Sequence, residues 1–251
     1  MYVNNRILTV KLHSNLFYMK DIAKNWKKNK RQIKMTIDFL NKAHVESLRR
    51  EWKLNELSLD NIYSKMQLIL WMSQLEVEFN LLVFENEHFT KSFIDEIDID
   101  NLSTIEKWDV LNDYFFKAQY FGRQDRELDE LNLGLTNYSR YAAIHNFINY
   151  NLKIFVEIRN KLAHGQWAVS FNRSGSGGNQ QITTSIWKLS KKEIMLIKSI
   201  SKNLPPLMKL LITSRKTFER DVDRYMHRLL KAQKDADVKY ERLKKKKHKK
   251  D

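Results

Sequence analysis

Apolar residues recur at gaps of three and four through Tyr141, Ile144, Ile148, Leu152, Phe155, Ile158 and Leu162, the spacing of one helix face. Gly165 follows where a helix C-terminus wants a residue able to adopt φ > 0. The pattern therefore predicts a long helix from about Tyr141 with His164 in its last turn. The same period organises most of the chain. Helical segments are expected from about Leu12 to Trp52, with Ile33, Ile37, Leu40 and His44/Val45 at core spacing. Asp60 is placed to cap a second helix running to about Phe84. Its Ile62, Met66, Ile69, Leu70, Leu75, Phe79, Leu82 and Val83 form a stripe wide enough for the centre of a bundle, with its methionines and Trp71 as core material. Ser103-Thr104-Ile105-Glu106 is a capping box for a third helix, which turns Trp108, Leu111, Tyr114/Phe115 and Ala118 inward and ends near Phe121. Gly122 to Gly134 is expected as a connection holding a short helix at 125–131, and Asn137 as N-cap of the long helix.

Two stretches break the period. Met1 to Thr9 alternates weakly, as a short strand or an irregular lead-in would. Beyond Gly165, Trp167 to Phe171 and Ile182 to Trp187 are β-type runs around a Gly/Ser/Asn-rich tip at 172–179, so a β-hairpin over 167–187 is expected. The tip lacks the Lys-Ser/Thr ending of a phosphate-cradling loop. Ser190 and Glu193 form a second capping box, for a helix that should stop before Pro205-Pro206. The last helix, from about Leu207, carries Phe218, Val222, Tyr225, Leu229, Ala232 and Ala236 as a heptad-like seam, suited to packing on the body or to a coiled coil. The expected fold class is mainly all-α: a helical bundle with one β-hairpin insertion and a long C-terminal helix. Its divisions are an N-terminal helical part (1–100), a helical core (101–238) and a basic tail over 239–251, expected to be disordered.

Composition narrows the function classes. In 251 residues, 42% hydrophobic and 12% aromatic content suffice for a core, while 30% charged residues point to helices with one solvated face. The absence of cysteine excludes a disulfide framework and a thiolate metal site and suits a reducing cytosol, so a cytoplasmic protein is expected. No charge-free apolar run is long enough to suggest a membrane partner. The net charge of +15 is spread through body and tail and suggests a polyanion, nucleic acid before membrane. Trp26-Lys27-Lys28-Asn29-Lys30-Arg31 reads as a solvated helix face or a phosphate-backbone contact, and the acidic run Asp95 to Asp100 as a solvated connector rather than a cation site.

The residues that carry chemistry close the long helix. Asn160 and His164, four apart, share a face, so the amide can orient the imidazole; Glu157 and Lys161 form a second such pair. Arg159 and His164 are separated by about 140° and about 7.5 Å along one helix, so two crossed copies bring them together more easily than one. A guanidinium that holds a phosphate beside a His that moves a proton suits phosphodiester cleavage. Five of the seven histidines have an Arg at a comparable spacing, including Arg140/His145 and Arg220/His227, but only Arg159 is followed by Asn and ends its helix at Gly.

Arg159-Asn160-Lys161-Leu162-Ala163-His164, with Gly165, resembles the HEPN superfamily, whose hallmark is Arg, four to six residues, then His, usually with a polar residue directly after the Arg. The resemblance covers the helix from Tyr141 to Gly165 and the all-helical context. It implies a HEPN-like bundle and a metal-independent endoribonuclease without cofactors, of the bacterial toxin or antiphage kind. His164 would act as base, Arg159 would stabilise phosphate charge, and Asn160 would orient His164 or contact RNA. Lys161 and the tail residues Lys244, Lys245, Lys246 and Lys247 are expected RNA contacts. The implied partners are RNA, a second copy in a homodimer, and an antitoxin or defence-system protein. The alternatives are a non-catalytic nucleic-acid-binding or scaffold protein, and the HEPN subunit of a nucleotidyltransferase pair.

Overall fold

Helix α2 (Glu56–Phe84) is the axis of the bundle, packed against α1 (Val3–Arg49), α6 (Lys153–Ala163) and α8 (Lys191–Leu211). The computed structural model describes residues 3–49, 56–85, 101–122, 126–172 and 177–247. The remaining helices are α3 (Thr104–Phe121), the single turn α4 (Glu130–Leu133), α5 (Leu135–Asn146), α7 (Gln180–Lys188) and α9 (Arg215–Lys247). None of the described helices is long and apolar enough to cross a membrane.

The inner face of α2 carries Leu68, Met72, Leu75, Phe79 and Val83 into one core with Trp108 and Phe115 of α3, Ile148 and Leu152, and Ile197 and Leu204 of α8. Two expected core residues of α2 face outward instead: Ile62 is 44% and Met66 38% exposed. The reason lies on the opposite side of the same turns, where Asp60, Ser64 and Gln67 are buried. Asp60 is therefore no N-cap, since α2 begins before it. Its carboxylate receives His44 Nε2 at 2.7 Å, the backbone N–H of Lys191 at 3.1 Å and the Tyr240 hydroxyl at 3.1 Å, joining α1, α2, α8 and α9. Lys191 Nζ donates to Asn41 Oδ1 at 2.6 Å and Gln67 Oε1 at 3.1 Å. Burial lowers the pKa of Lys191 to about 8 and that of His44 below its ordinary value, against the pull of Asp60, while burial and Asp60 push Tyr240 up to about 12.

Several expected boundaries move. The chain is helical from Val3, where a strand or lead-in was expected, and the short helix falls at Glu130–Leu133 rather than 125–131. Asn137 does not cap the long helix, which starts at Leu135; it accepts from the Tyr120 hydroxyl at 3.0 Å and donates to the Leu133 carbonyl at 3.1 Å. Both predicted capping boxes form, at Ser103/Glu106 and Ser190/Glu193. Helix α8 does not stop at Pro205-Pro206 but runs through both. An interior proline costs about 3 kcal/mol. Here the prolines sit among fully buried Leu204, Leu207 and Met208, each worth roughly 2 kcal/mol of burial, which outweighs the loss. The seam of α9 buries Phe218, Val222, Leu229, Ala232 and Ala236 against the body, chiefly α8. The tail expected to be disordered from Lys239 has helical backbone as far as Lys247.

The expected β-hairpin over 167–187 does not form. Among the described residues there is one isolated bridge, Phe171 to Gly178, followed by α7. The β-branched run Ile182-Thr183-Thr184 reads as a strand, yet Asn179 caps it as a helix by accepting from the Ile182 N–H at 3.1 Å. Ile182 and Ile186, four apart, then bury on one face.

Helices α5 and α6 are one continuous rod interrupted by π-helical turns at Phe147–Leu152. Ile144, Ile148 and Leu152 span eight residues, which in an α-helix overshoots two turns by about 80°. The wider π turns hold all three, each at most 1% exposed, in line with the core.

Candidate functional site

The end of α6 is closed by a Schellman motif. Gly165 adopts φ +77°, its N–H donates to the Leu162 carbonyl at 3.1 Å, and the Gln166 N–H donates to the Lys161 carbonyl at 2.9 Å. His164 is the C-cap residue and Asn160 lies one turn before it; both side chains are exposed. Among the described contacts neither side chain has a hydrogen-bond partner, so the imidazole is open to solvent at the negative end of the helix dipole.

Arg159 points elsewhere. Its guanidinium pairs with Glu76 of α2 and donates to Thr104 Oγ1 at 3.3 Å, while that hydroxyl donates to Glu76 Oε1 at 3.0 Å. The Arg159 side chain is 20% exposed and its buried Nε has no partner. A single chain therefore does not bring Arg159 and His164 into contact, as their offset along the helix requires. Glu76 and Thr104 are the site residues that sequence reasoning missed. Thr104 was visible only as the second residue of a capping box, and Glu76 only as a polar gap in an apolar stripe. Glu76 also lines a shallow groove of about 250 Å³ with Trp26, Asn29 and Gln32 of α1 and Ser73 of α2. This places part of the Trp26–Arg31 stretch beside the acceptor that holds Arg159. In the rest of that stretch Lys27 pairs with Glu85 at 2.6 Å and Lys30 with Glu78 at 2.8 Å.

The segment after Gly165 is stitched to the motif helix. Lys161 Nζ, an expected RNA contact, donates to the Phe171 carbonyl at 2.6 Å, and Trp167 Nε1 donates to the Leu162 carbonyl at 3.0 Å. Lys65 Nζ donates to the Trp167 carbonyl at 2.8 Å, and Trp187 Nε1 to the Ala168 carbonyl at 2.5 Å. These bonds fix backbone but leave an apolar surface beside His164, with Trp167, Val169, Phe171 and Trp187 all exposed and Trp187 66% so.

Other Arg and His residues of similar spacing lie beside carboxylates. Arg140 makes a bidentate pair with Asp223 at 2.8 and 3.1 Å, Arg220 pairs with Asp221 at 2.7 Å, and His145 Nδ1 meets Asp109 at 2.7 Å. The backbone of Lys244, Lys245, Lys246 and Lys247 lies in α9; Asp95 to Asp100 falls outside the described residues. No family model matches this chain, and no curated protein or solved structure matches it significantly.

Proposed function

We propose that the protein is a metal-independent endoribonuclease of HEPN type, working as a homodimer in which the ends of two α6 helices face each other. The observation that carries the reading is an exposed His164, without a partner among the described contacts, at the end of the helix that also carries Arg159, the one motif arginine followed by Asn and closed by Gly. His164 takes the proton of a ribose 2′-OH as that oxygen attacks the adjacent phosphorus, and Arg159 balances the charge that develops on the phosphate; the P–O5′ bond breaks and the leaving oxygen takes a proton from water, giving a 2′,3′-cyclic phosphate and a 5′-hydroxyl. Asn160, one turn before His164 and without a hydrogen bond to it among the described contacts, contacts the substrate. Dependence on the 2′-OH makes RNA, not DNA, the substrate. In the dimer, Arg159 of one copy approaches His164 of the other, and the exposed Trp167, Val169, Phe171 and Trp187 form the apolar contact beside the site. The basic end of α9 adds long-range attraction for the RNA backbone.

The Glu76–Arg159 pair favours a second reading, a non-catalytic RNA-binding protein in which Arg159 is structural. Incubating total RNA with wild type, Arg159→Ala and His164→Ala in EDTA at 25 °C separates the two. Cleavage lost in both variants, with unchanged circular dichroism, supports the nuclease. Equal cleavage by all three removes the activity from this site, and no cleavage by any of them, with RNA still bound, favours the second reading.

A further inference from the structure

Away from the motif, α3 and α5 bring three ligating side chains together. Asp109 and Asp113 are four residues apart on α3 and His145 is in the last turn of α5, with one ligand atom of each within 4.8 Å of the others. All three are half-buried, and His145 is exposed enough to admit an ion and its waters.

The contacts inside this cluster are not those of a finished ion pair. Asp109 Oδ1 lies 2.7 Å from His145 Nδ1 yet is sealed from solvent and accepts no well-aligned hydrogen bond. The same Nδ1 has the Asn149 amide nitrogen 3.5 Å away, and that amide donates to the His145 carbonyl at 3.0 Å. With the ring proton on Nε2, the single lone pair of Nδ1 and the Asp109 carboxylate oxygen repel at this distance, an arrangement that a shared cation relieves. The Tyr141 hydroxyl donates to Asp113 Oδ1 at 2.8 Å, leaving the second carboxylate oxygen for a ligand. The Tyr141 bond is an outer contact of the kind that orients a metal ligand. The π turns begin two residues after His145, so the shift in helix phase falls directly behind the ligand.

We propose that Asp109, Asp113 and His145 bind a divalent transition-metal cation, Zn²⁺ or Mn²⁺, that ties α3 to α5. An imidazole with two carboxylates suits these ions, whereas Ca²⁺ and Mg²⁺ take oxygen donors alone. The two carboxylates neutralise the ion, and three protein ligands leave positions for water. The site is separate from Arg159 and His164 and stands whether or not the chain cleaves RNA.

The test uses the full, tag-free chain after treatment with chelator and dialysis. Isothermal titration with Zn²⁺ and with Mn²⁺ should show one equivalent bound by at least one of them. Tm should rise by about 5–10 °C once the ion is a hundredfold above its Kd. Mg²⁺ and Ca²⁺ should give no comparable rise. Asp109→Asn and His145→Gln should each abolish the Tm rise, and Tyr141→Phe should weaken binding by about tenfold. His164→Ala should bind as wild type does. Should Asp109→Asn fold poorly, His145→Gln, on a more exposed side chain, gives the same readout. No stoichiometric binding of either ion, or binding that survives in both ligand variants, overturns the proposal.

Discussion

At the scale of single residues, Glu76 decides what Arg159 can do. A phosphate that recruits this guanidinium must displace or share the Glu76 carboxylate, so Glu76→Gln should tighten RNA binding several-fold. It should also cost about 1–3 kcal/mol of stability by leaving a largely buried cation without its counter-charge. Filter binding and urea denaturation measure the two effects, and weaker RNA binding by a folded Glu76→Gln protein would rule out Arg159 as a phosphate ligand. Lys191 gives a pH signature. Its folded pKa of about 8 lies below the ordinary 10.5, so between these values the unfolded chain binds more protons and stability rises with pH. At 3% exposure the increment from pH 8 to 10.5 should approach about 3 kcal/mol. Lys191→Met should lack it. Urea midpoints at the two pH values check this, and an equal rise in both proteins would show that Lys191 is not the source.

At the scale of elements, α8 holds two prolines in its interior because its buried face is worth more than the hydrogen bonds it forgoes. Pro206 is only half-buried, so restoring its N–H should be a net gain. Pro206→Ala is expected to raise stability by about 1–2 kcal/mol, the recovered helix bond exceeding the extra freedom of the unfolded chain. A lower denaturation midpoint would mean that the ring itself packs against the core.

At the scale of the whole molecule, the proposed dimer depends on the apolar surface beside His164. Val169→Asp should leave the fold intact, since Val169 is 46% exposed and its side chain makes no hydrogen bond, but convert the protein to a monomer and reduce cleavage by at least about tenfold. Light scattering and a cleavage assay check both consequences. A wild type that is monomeric at concentrations where it cleaves RNA would end the composite-site idea. Mixing Arg159→Ala with His164→Ala protein should restore part of the activity if each site draws on both chains.

How much was legible in the sequence follows from which interactions are local. The apolar period of three and four, the two capping boxes and the glycine that ends α6 act within a few residues, so the helices, the α6 terminus and the position of His164 could be read from the chain alone. Thr183 and Thr184 gave the wrong element, because β-branched residues favour strands until an Asn cap and two isoleucines four apart make burial as a helix better. Pro205 and Pro206 were misread for the same kind of reason: local preference yields to burial contributed by α2 and α9. Asp60 looked like a cap because its neighbours in space, His44, Lys191 and Tyr240, are 16, 131 and 180 residues away in the chain. Only the tertiary structure turned Arg159 towards Glu76 and gathered Asp109, Asp113 and His145. Sequence spacing sets which groups share a helix face, but the partner each group meets is chosen by the packing of distant helices.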